Sequence, residues 1–215
     1  MDELSRRGKF LTIEGIEGVG KSTAVKHIQN YLADAKQPFL VTREPGGTVI
    51  AEQIRKVLLT PNPDENMVPV TELLLMFASR AQHVANLIAP ALLAGKWVVS
   101  DRYVDASYAY QGYGRGFDIT QIETLEKWVV EGVQPDMTIL LDAPPKLGLA
   151  RAKHRGPQDR IEQEKVDFFE RVREGYLVRA RQFPERFQII DASQSLIAVH
   201  AEIKIVLQKL LGQTP

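Results

Sequence analysis

Short apolar runs alternate along the chain with longer segments in which apolar residues recur every three or four positions. The runs predict five β-strands, at residues 10–13, 39–41, 97–99, 137–141 and 187–190. The spacing of Ile28 and Leu32, and the periodic segments 73–88 and 196–210, predict helices between and after them. Because strands that are apolar on both faces alternate with helices, we expect an α/β fold with a five-stranded parallel sheet flanked by helices. Ligands of such sheets bind beyond the carboxyl ends of the strands.

Length and composition favour one domain that spans residues 1–215. The chain has 215 residues, of which 44% are hydrophobic, enough for one sizeable core. Lys plus Arg and Asp plus Glu both total 27, which disfavours nucleic acid and anionic membranes as partners. The absence of cysteine excludes disulfides and thiolate metal sites. No apolar run approaches the roughly 20 residues that a membrane span needs, so we expect a cytoplasmic protein.

A glycine-rich segment directly follows the first predicted strand and leads into a helix. It matches G-x-x-x-x-G-K-[ST] at every fixed position. The predicted nucleotide-binding residues are Gly15, Ile16, Glu17, Gly18, Val19, Gly20, Lys21, Ser22 and Thr23. Backbone N–H groups of such a loop surround the phosphates of ATP, and Lys21 adds a cation near the β- and γ-oxygens. The hydroxyl of Ser22 is the expected ligand for Mg²⁺.

The remaining sequence favours a small-molecule kinase among phosphate-loop proteins. Guanine-specific GTPases carry N-K-x-D, and no asparagine of this chain is followed by lysine. Motor and transport ATPases need larger or repeated modules than 215 residues allow. Three alternatives stay open: a kinase for another nucleoside monophosphate or for a deoxynucleoside, a nucleotide-binding regulator without catalysis, and a nucleic-acid-binding ATPase.

Charged residues follow the predicted second and third strands. Residues 42–48 read T-R-E-P-G-G-T, and residues 100–103 read S-D-R-Y. We expect Arg102 to bind the acceptor phosphate with its forked guanidinium, and Asp101 to hold Mg²⁺ or its waters. The alternative is a structural ion pair between these two side chains.

Four motifs together resemble the bacterial thymidylate kinases. They are E-G-I-E-G-V-G-K-S-T at 14–23, T-R-E-P-G-G-T at 42–48, D-R-Y at 101–103 and Y-A-Y-Q-G at 108–112. The resemblance covers residues 10 to about 193. It implies a nucleoside monophosphate kinase fold, MgATP as phosphoryl donor, dTMP as acceptor and a homodimer.

The resemblance also implies roles for side chains around the sugar and phosphate of the acceptor. Glu17 is similar to the family's carboxylate that faces the 3′-hydroxyl of the deoxyribose. Arg102 is similar to the residue that grips the dTMP phosphate, and Arg43 is a second candidate donor. The alternative for Glu17 is a solvated acid in the loop.

For the thymine base, the resemblance implies that Arg80 reads a carbonyl, and that Ser107 and Gln111 form a polar pair near the thymine and the phosphate. The family often carries a phenylalanine four residues before this arginine as a stacking platform, but here that position is Met76 and Phe77 follows. Successive helical residues are turned by about 100°, so the two side chains cannot face the same point. We assign the stacking role to Phe77, while Met76 as the contact, or a core position for both, stays open.

Basic residues concentrate in a short lid that we predict at about residues 150–161. Positioned guanidinium groups stabilise the charge that spreads over a phosphoryl group during transfer, and the phosphate loop has no arginine. The sequence resembles the family branch whose catalytic arginines lie in the lid, which implies Arg151, Arg155 and Arg160. Gly156 would give the hinge its freedom. The alternative is a solvated basic face. Residues 191–193 resemble the loop that packs against adenine.

Overall fold

The computed structural model describes residues 7–152 and 159–212. Its sheet has five parallel strands in the order β2-β3-β1-β4-β5. The strands are β1 (Phe10–Glu14), β2 (Phe39–Arg43), β3 (Trp97–Asp101), β4 (Met137–Asp142) and β5 (Phe187–Asp191). Each predicted strand is confirmed and extends by one or two polar or charged residues at its carboxyl end.

Helices precede or follow every strand. Their bounds are α1 (Lys21–Asp34), α2 (Val49–Leu59), α3 (Pro69–His83), α4 (Ala89–Leu93), α5 (Val104–Ser107), α6 (Ile119–Val130), α7 (Pro145–Ala152), α8 (Val166–Gln182) and α9 (Leu196–Leu210). The predicted α/β fold, a parallel sheet flanked by helices, is thereby confirmed. None of the helices in the described ranges is long and apolar enough to cross a membrane.

The predicted helical segment 73–88 is not one continuous α-helix. It changes at Val84–Ile88 to a π-helical turn and resumes as α4. Pro90 lies at the start of α4 and has no backbone N–H, so it cannot donate the hydrogen bond that would continue an undisturbed α-helix. A second π-helical segment, Tyr108–Gly114, follows α5 directly.

Apolar side chains fill both faces of the sheet. Successive residues of a strand point to opposite faces, and in β1 the neighbours Phe10 and Leu11 accordingly belong to two different core clusters. Phe169 and Ile139 lie in the cluster of Leu11, whereas Phe77 lies in the cluster of Phe10. The central strand is therefore fully buried, as its apolar sequence predicts.

The strand order brings the polar strand ends to one edge of the sheet. In the register of β1 and β3, Ile13 lies opposite Asp101, and in that of β2 and β3, Arg43 lies opposite Asp101. The phosphate-loop segment after β1 therefore lies beside Asp101 and Arg102 at the carboxyl end of β3. Ligands of parallel sheets bind at this carboxyl edge, so the strand order brings the two predicted segments to one candidate site.

Candidate active site

One pocket at the carboxyl edge of the sheet is lined by most of the predicted site residues. Those that line it are Glu17, Gly18, Gly20, Lys21, Ser22, Arg43, Arg80, Asp101, Arg102, Ser107 and Gln111. Ile16 and Val19 instead turn their side chains into the core, so their contribution to a ligand is limited to the backbone. Thr23 is exposed on the first turn of α1.

The phosphate loop approaches its neighbours so closely that glycine is required. At Gly18, φ is 74°, and an added Cβ would lie 1.8 Å from the carbonyl oxygen of Gly148 in α7. Lys21 folds back over the loop, where its Nζ donates to the carbonyl oxygens of Gly15 at 3.0 Å and Ile16 at 2.8 Å. Burial, followed by the charge of Arg102, lowers the pKa of Lys21 to about 8. The negative charge of a phosphate bound in this loop would raise the pKa of Lys21 again.

Arg102 is held in the left-handed region of backbone space, with φ at 73°. Its Nη1 donates to the carbonyl oxygen of Gly15 at 2.8 Å and to the hydroxyl of Tyr176 at 2.9 Å. Its Nη2 donates to Oε1 of Glu17 at 2.8 Å. The guanidinium is thereby fixed against the phosphate loop and stays at the wall of the pocket.

Two glutamates and two tyrosines surround this arginine. The hydroxyl of Tyr110 donates to both oxygens of Glu17, at 2.8 and 2.7 Å. Oε2 of Glu14 accepts from the hydroxyl of Tyr176 at 2.7 Å, and Oε1 accepts from the backbone N–H of Tyr103 at 2.7 Å. Burial, and then the charge of Asp105, raise the pKa of Glu14 to about 8. Glu14 therefore orients the hydroxyl of Tyr176, which in turn accepts a hydrogen bond from the guanidinium of Arg102.

Asp101 and Ser22 are suited to a divalent cation. Both line the pocket, and Oδ1 of Asp101 is buried without a hydrogen-bond partner in the described part of the chain. A buried carboxylate oxygen without a donor is costly unless a cation or its water reaches it. Among the described residues, no three acidic or histidine side chains form a metal-binding group. Such an ion would therefore depend on nucleotide phosphates and water for its remaining ligands, as Mg²⁺ commonly does.

At the other end of the pocket, Arg80 is almost completely buried and each of its nitrogens has a partner. Nε donates to Oε2 of Glu44 at 2.8 Å, Nη1 to the hydroxyl of Ser107 at 3.0 Å, and Nη2 to the carbonyl oxygen of Tyr103 at 3.2 Å. Because each Nη carries two hydrogens, the guanidinium keeps one N–H on each for a ligand. The side chain is therefore a fixed donor.

Glu44 is itself fixed by a buried chain of hydrogen bonds. Its Oε1 lies 3.0 Å from Nδ1 of His83, and Nε2 of His83 lies 2.7 Å from the hydroxyl of Thr42. The peptide bond between Glu44 and Pro45 is cis. The T-R-E-P-G-G-T motif thus supplies the carboxylate that orients Arg80.

Gln111 contacts a second buried glutamate. Its Nε2 donates to Oε1 of Glu72 at 2.9 Å, and both side chains are 1% exposed. Nη2 of Arg115 donates to Oε2 of Glu72 at 3.1 Å. The carboxamide of Gln111 is therefore oriented by a charged group that lies outside the predicted site.

The structure corrects the assignment of Phe77 as the thymine platform. Phe77 is 2% exposed, belongs to the core and does not line the pocket, whereas Met76 does. Phe77 still contacts the site indirectly, because the guanidinium carbon of Arg80 lies 4.7 Å above its ring. The helical rotation that separates the two side chains turns Phe77 to the sheet and Met76 to the ligand side.

Two further arginines line or border the pocket on its α2 side. Nη2 of Arg43 binds both carboxylate oxygens of Glu52, at 3.1 and 3.0 Å, and the Arg43 side chain is about half exposed. Arg55 lines the pocket and donates to the carbonyl oxygen of Pro45 at 2.7 Å. The sequence did not single out Arg55, although its spacing from Thr48 places it two turns into α2.

Of the predicted lid arginines, the two that the structure describes, Arg151 and Arg160, contact other parts of the chain than the phosphate loop. Nη1 of Arg151 donates to the carbonyl oxygen of Ala192 at 3.0 Å, in the loop after β5. Nε of Arg160 donates to the carbonyl oxygen of Leu58 at 2.8 Å, and its Nη2 lies 2.7 Å from Oε2 of Glu72. Neither lines the pocket. Arg155 and Gly156 lie outside the described residues.

Sequence reasoning missed the acids and the tyrosines that hold the predicted residues. Glu14 and Glu44 stand inside recognised motifs and could have been found there. Glu72 lies two turns before Arg80 on the same helix, a spacing that indicates a shared face. No local sequence pattern indicates a role for Tyr176, which contacts Glu14 although the two residues are 162 positions apart.

Comparisons with known proteins agree with this geometry. A sequence model of the family described as thymidylate kinase matches residues 13–203. The thymidylate kinase of Vesicomyosocius okutanii is 52% identical over 205 residues, which make up 95% of this chain and 100% of that protein. That of Marinomonas sp. is 52% identical over 204 residues, 95% of this chain and 96% of that protein.

A solved structure extends the likeness to the fold. The thymidylate kinase of Ehrlichia chaffeensis superposes with a TM-score of 0.75 at 32% identity, and the match covers 94% of this chain and 99% of that one. The matched family segment begins within β1 and contains the phosphate loop, Arg102 and Gln111. On its sequence, its sheet and the pocket at the edge of that sheet, the chain belongs to the thymidylate kinase family.

Proposed function

We propose that this chain transfers the γ-phosphoryl group of ATP to dTMP and yields dTDP and ADP, a step that supplies thymidine nucleotides for DNA synthesis. One observation carries the proposal: a single pocket joins the phosphate loop and Arg102 at one end to Arg80, Met76 and Gln111 at the other. A nucleoside monophosphate has this polarity, with an anionic end and a base. The two ends of the pocket therefore match the two ends of the acceptor.

The base end suits a pyrimidine with a carbonyl at position 4. Arg80 is held by Glu44 and Ser107, so its remaining N–H groups are fixed donors that suit an acceptor oxygen. Met76 lines the same pocket and offers a polarizable thioether to the face of the base. Glu17, already bonded to Arg102 and Tyr110, is the proposed partner of the 3′-hydroxyl.

At the phosphate end, catalysis rests on positioning and charge. Lys21 exchanges its contacts with loop carbonyls for the β- and γ-oxygens of ATP, and Arg102 binds the acceptor phosphate. Ser22 and Asp101 are the proposed Mg²⁺ ligands, and the ion would supply positive charge that neutralises the phosphates. No side chain is needed as a general base, because the attacking atom is a phosphate oxygen that is ionised at neutral pH.

The catalytic role of the lid arginines stays part of the proposal. Arg160 would have to leave Leu58 and Glu72 to reach a phosphate, and Arg151 would have to leave the carbonyl of Ala192. In the described conformation, Arg151 instead borders the loop proposed for adenine. Arg155 lies in the segment outside the described residues and keeps its predicted role as a donor to the transferring group.

We also propose that the enzyme is a cytoplasmic homodimer, with ATP and dTMP as its other partners. An apolar groove between α3, α4 and α6 supports the dimer. Its rim includes Leu74, Leu93 and Trp128, whose exposed fractions are 54%, 80% and 77%. Large apolar side chains exposed together in one groove are typical of surfaces that another protein covers. A second copy would bury the same groove on both subunits around a two-fold axis.

A coupled assay of ADP release tests the proposed function. MgATP is supplied with dTMP, dUMP, dCMP, dGMP, UMP, CMP, AMP or thymidine as the acceptor. We expect dTMP to be turned over far more efficiently than the others, and omission of Mg²⁺ to abolish the signal. Preference for another monophosphate would keep the ATP site but refute the base assignments, whereas no ADP release with any acceptor would refute the kinase itself.

A further inference from the structure

The carboxamide of Gln111 has only one orientation that satisfies its neighbour Glu72. Its nitrogen lies 2.9 Å from Oε1 of Glu72, and the two side chains are both buried. An ionised carboxylate can only accept hydrogen bonds. The amide group of Gln111 must therefore face Glu72, and its carbonyl oxygen must face away from it.

Glu72 is held in the ionised form by the cations around it. Nε of Arg115 donates to Oε1 at 3.3 Å and Nη2 to Oε2 at 3.1 Å, while Nη2 of Arg160 lies 2.7 Å from Oε2. Burial alone raises the pKa of Glu72, but the hydrogen bonds and charge of Arg115, the bond from Gln111 and the charge of Arg160 together hold it below its ordinary value. Its acceptor-only character therefore persists at neutral pH.

We propose that Glu72 is a positioning residue that fixes the carbonyl oxygen of Gln111 toward the acceptor base, and that this orientation selects thymine over cytosine. The inference rests on the function proposed above. Next to its O4 acceptor, thymine presents N3–H, a donor, whereas cytosine presents an amino donor and then an acceptor nitrogen. If Arg80 donates and Gln111 accepts, the two side chains pair with O4 and N3–H of thymine. With cytosine, Arg80 would face the amino donor and Gln111 the acceptor nitrogen, so both contacts would be mispaired.

The substitution Glu72→Gln tests this role because a neutral amide can donate as well as accept. Gln111 could then rotate by half a turn and present its amide nitrogen to the base. We expect the preference in kcat/KM for dTMP over dCMP to fall about tenfold or more, the effect of one mispaired buried hydrogen bond. Most of the loss should be a higher KM for dTMP, because the contacts that hold Lys21 and Arg102 at the phosphate loop do not involve Glu72.

A matched control removes a carboxylate from the same ion cluster without touching Gln111. Glu164 binds Nη1 of Arg115 at 2.5 Å, so Glu164→Gln weakens the support of Arg115 but leaves the bond between Gln111 and Glu72 intact. We expect this variant to keep the dTMP-to-dCMP ratio within about twofold. Arg160→Gln should also keep that ratio, whatever its effect on turnover. Arg160 contacts Oε2 of Glu72, whereas Gln111 binds Oε1.

An unchanged ratio in Glu72→Gln, or an equal loss for both acceptors, would overturn the proposal and leave Glu72 a structural residue. If the unsubstituted chain itself shows no preference for dTMP, the proposed function fails instead, so the two failures are distinct.

If Glu72→Gln does not fold, a measurement on the unchanged chain tests the hydrogen bond between Gln111 and Glu72 on which the proposal depends. The side-chain amide of Gln111, assigned by its loss in Gln111→Leu, should give one proton that is shifted downfield and protected from exchange by the carboxylate. Two rapidly exchanging protons at ordinary shifts would contradict the proposed bond.

Discussion

At the scale of single residues, Arg102 has an unfavourable backbone conformation that its neighbours stabilise. A non-glycine residue at φ 73° costs on the order of 1 kcal/mol, and surrounding bonds must hold it. Here the N–H of Arg102 donates to the carbonyl oxygen of Ile13 at 3.0 Å, and the hydroxyl of Ser100 donates to the carbonyl oxygen of Arg102 at 2.7 Å. The conformation directs the guanidinium at the phosphate loop.

We expect Arg102→Ala to lower turnover at least about a hundredfold, the typical loss of one preorganised charge donor. Arg102→Lys should recover little, because an ammonium group cannot reproduce the forked contacts to Glu17, Tyr176 and a phosphate. Steady-state kinetics with saturating MgATP and varied dTMP would measure both. The control is Arg181→Ala on the exposed face of α8, where the side chain is 61% exposed. Turnover of Arg102→Ala close to that of the control would remove Arg102 from the mechanism.

The residues that the sequence predicted are those whose chemistry is local. The order of glycines, lysine and serine specifies a phosphate loop because the backbone fold and the ligand contacts come from the same few positions. Glu44 and Glu72 act through partners 36 and 39 positions away, so only the packed structure joins them to Arg80 and Gln111. Burial of an acid is also not visible in a sequence, where an isolated glutamate on a helix usually indicates a solvated face.

At the scale of elements, α3 carries three site residues on one face. Glu72, Met76 and Arg80 are spaced four residues apart, which keeps them on one side of the helix. Phe77 shares with Leu73 a stripe that is turned by about 100° from this face, and both lie in the core. The rule that separates Met76 from Phe77 is available from sequence alone. Which stripe faces the ligand is not, because both contain apolar residues.

Substitutions on the two stripes should separate binding from stability. Met76→Ala removes a pocket contact, and we expect KM for dTMP to rise severalfold, with only a modest change in melting temperature, because Met76 is partly exposed. Phe77→Leu changes a buried core side chain and should cost about 1 kcal/mol or more of unfolding free energy, with KM changed less than in Met76→Ala. Chemical denaturation and steady-state kinetics measure the two effects. The reverse pattern would restore the original assignment of Phe77.

At the scale of the whole molecule, the alternation of apolar runs was enough to predict the fold. It predicted the five strands of the described residues, and the observed strand order places β1 beside β3. Subunit contacts could not be predicted in the same way. Apolar positions on a helix have the same period whether the helix packs on its own sheet or on a second chain.

The proposed dimer can be tested through the groove between α3, α4 and α6. Trp128→Glu places a charge in the apolar surface that a second copy would cover, and we expect a shift from dimer to monomer in light scattering after size exclusion. The control is Ile197→Glu on α9, where the side chain is 83% exposed and remote from the groove residues in the sequence. A dimer that persists in Trp128→Glu, or a monomeric unchanged chain, would contradict the assignment of this surface.

The most direct test of the account is the ratio of kcat/KM for dTMP to that for dCMP, measured with MgATP on the unchanged chain. A site that fixes a donor and an acceptor against the base should reject the mispaired base by at least about a hundredfold. A ratio of that size would support the reading of Arg80 and Gln111 as the base-recognising pair. A ratio near one, or a preference for dCMP, would contradict it even if the fold and the ATP site stand.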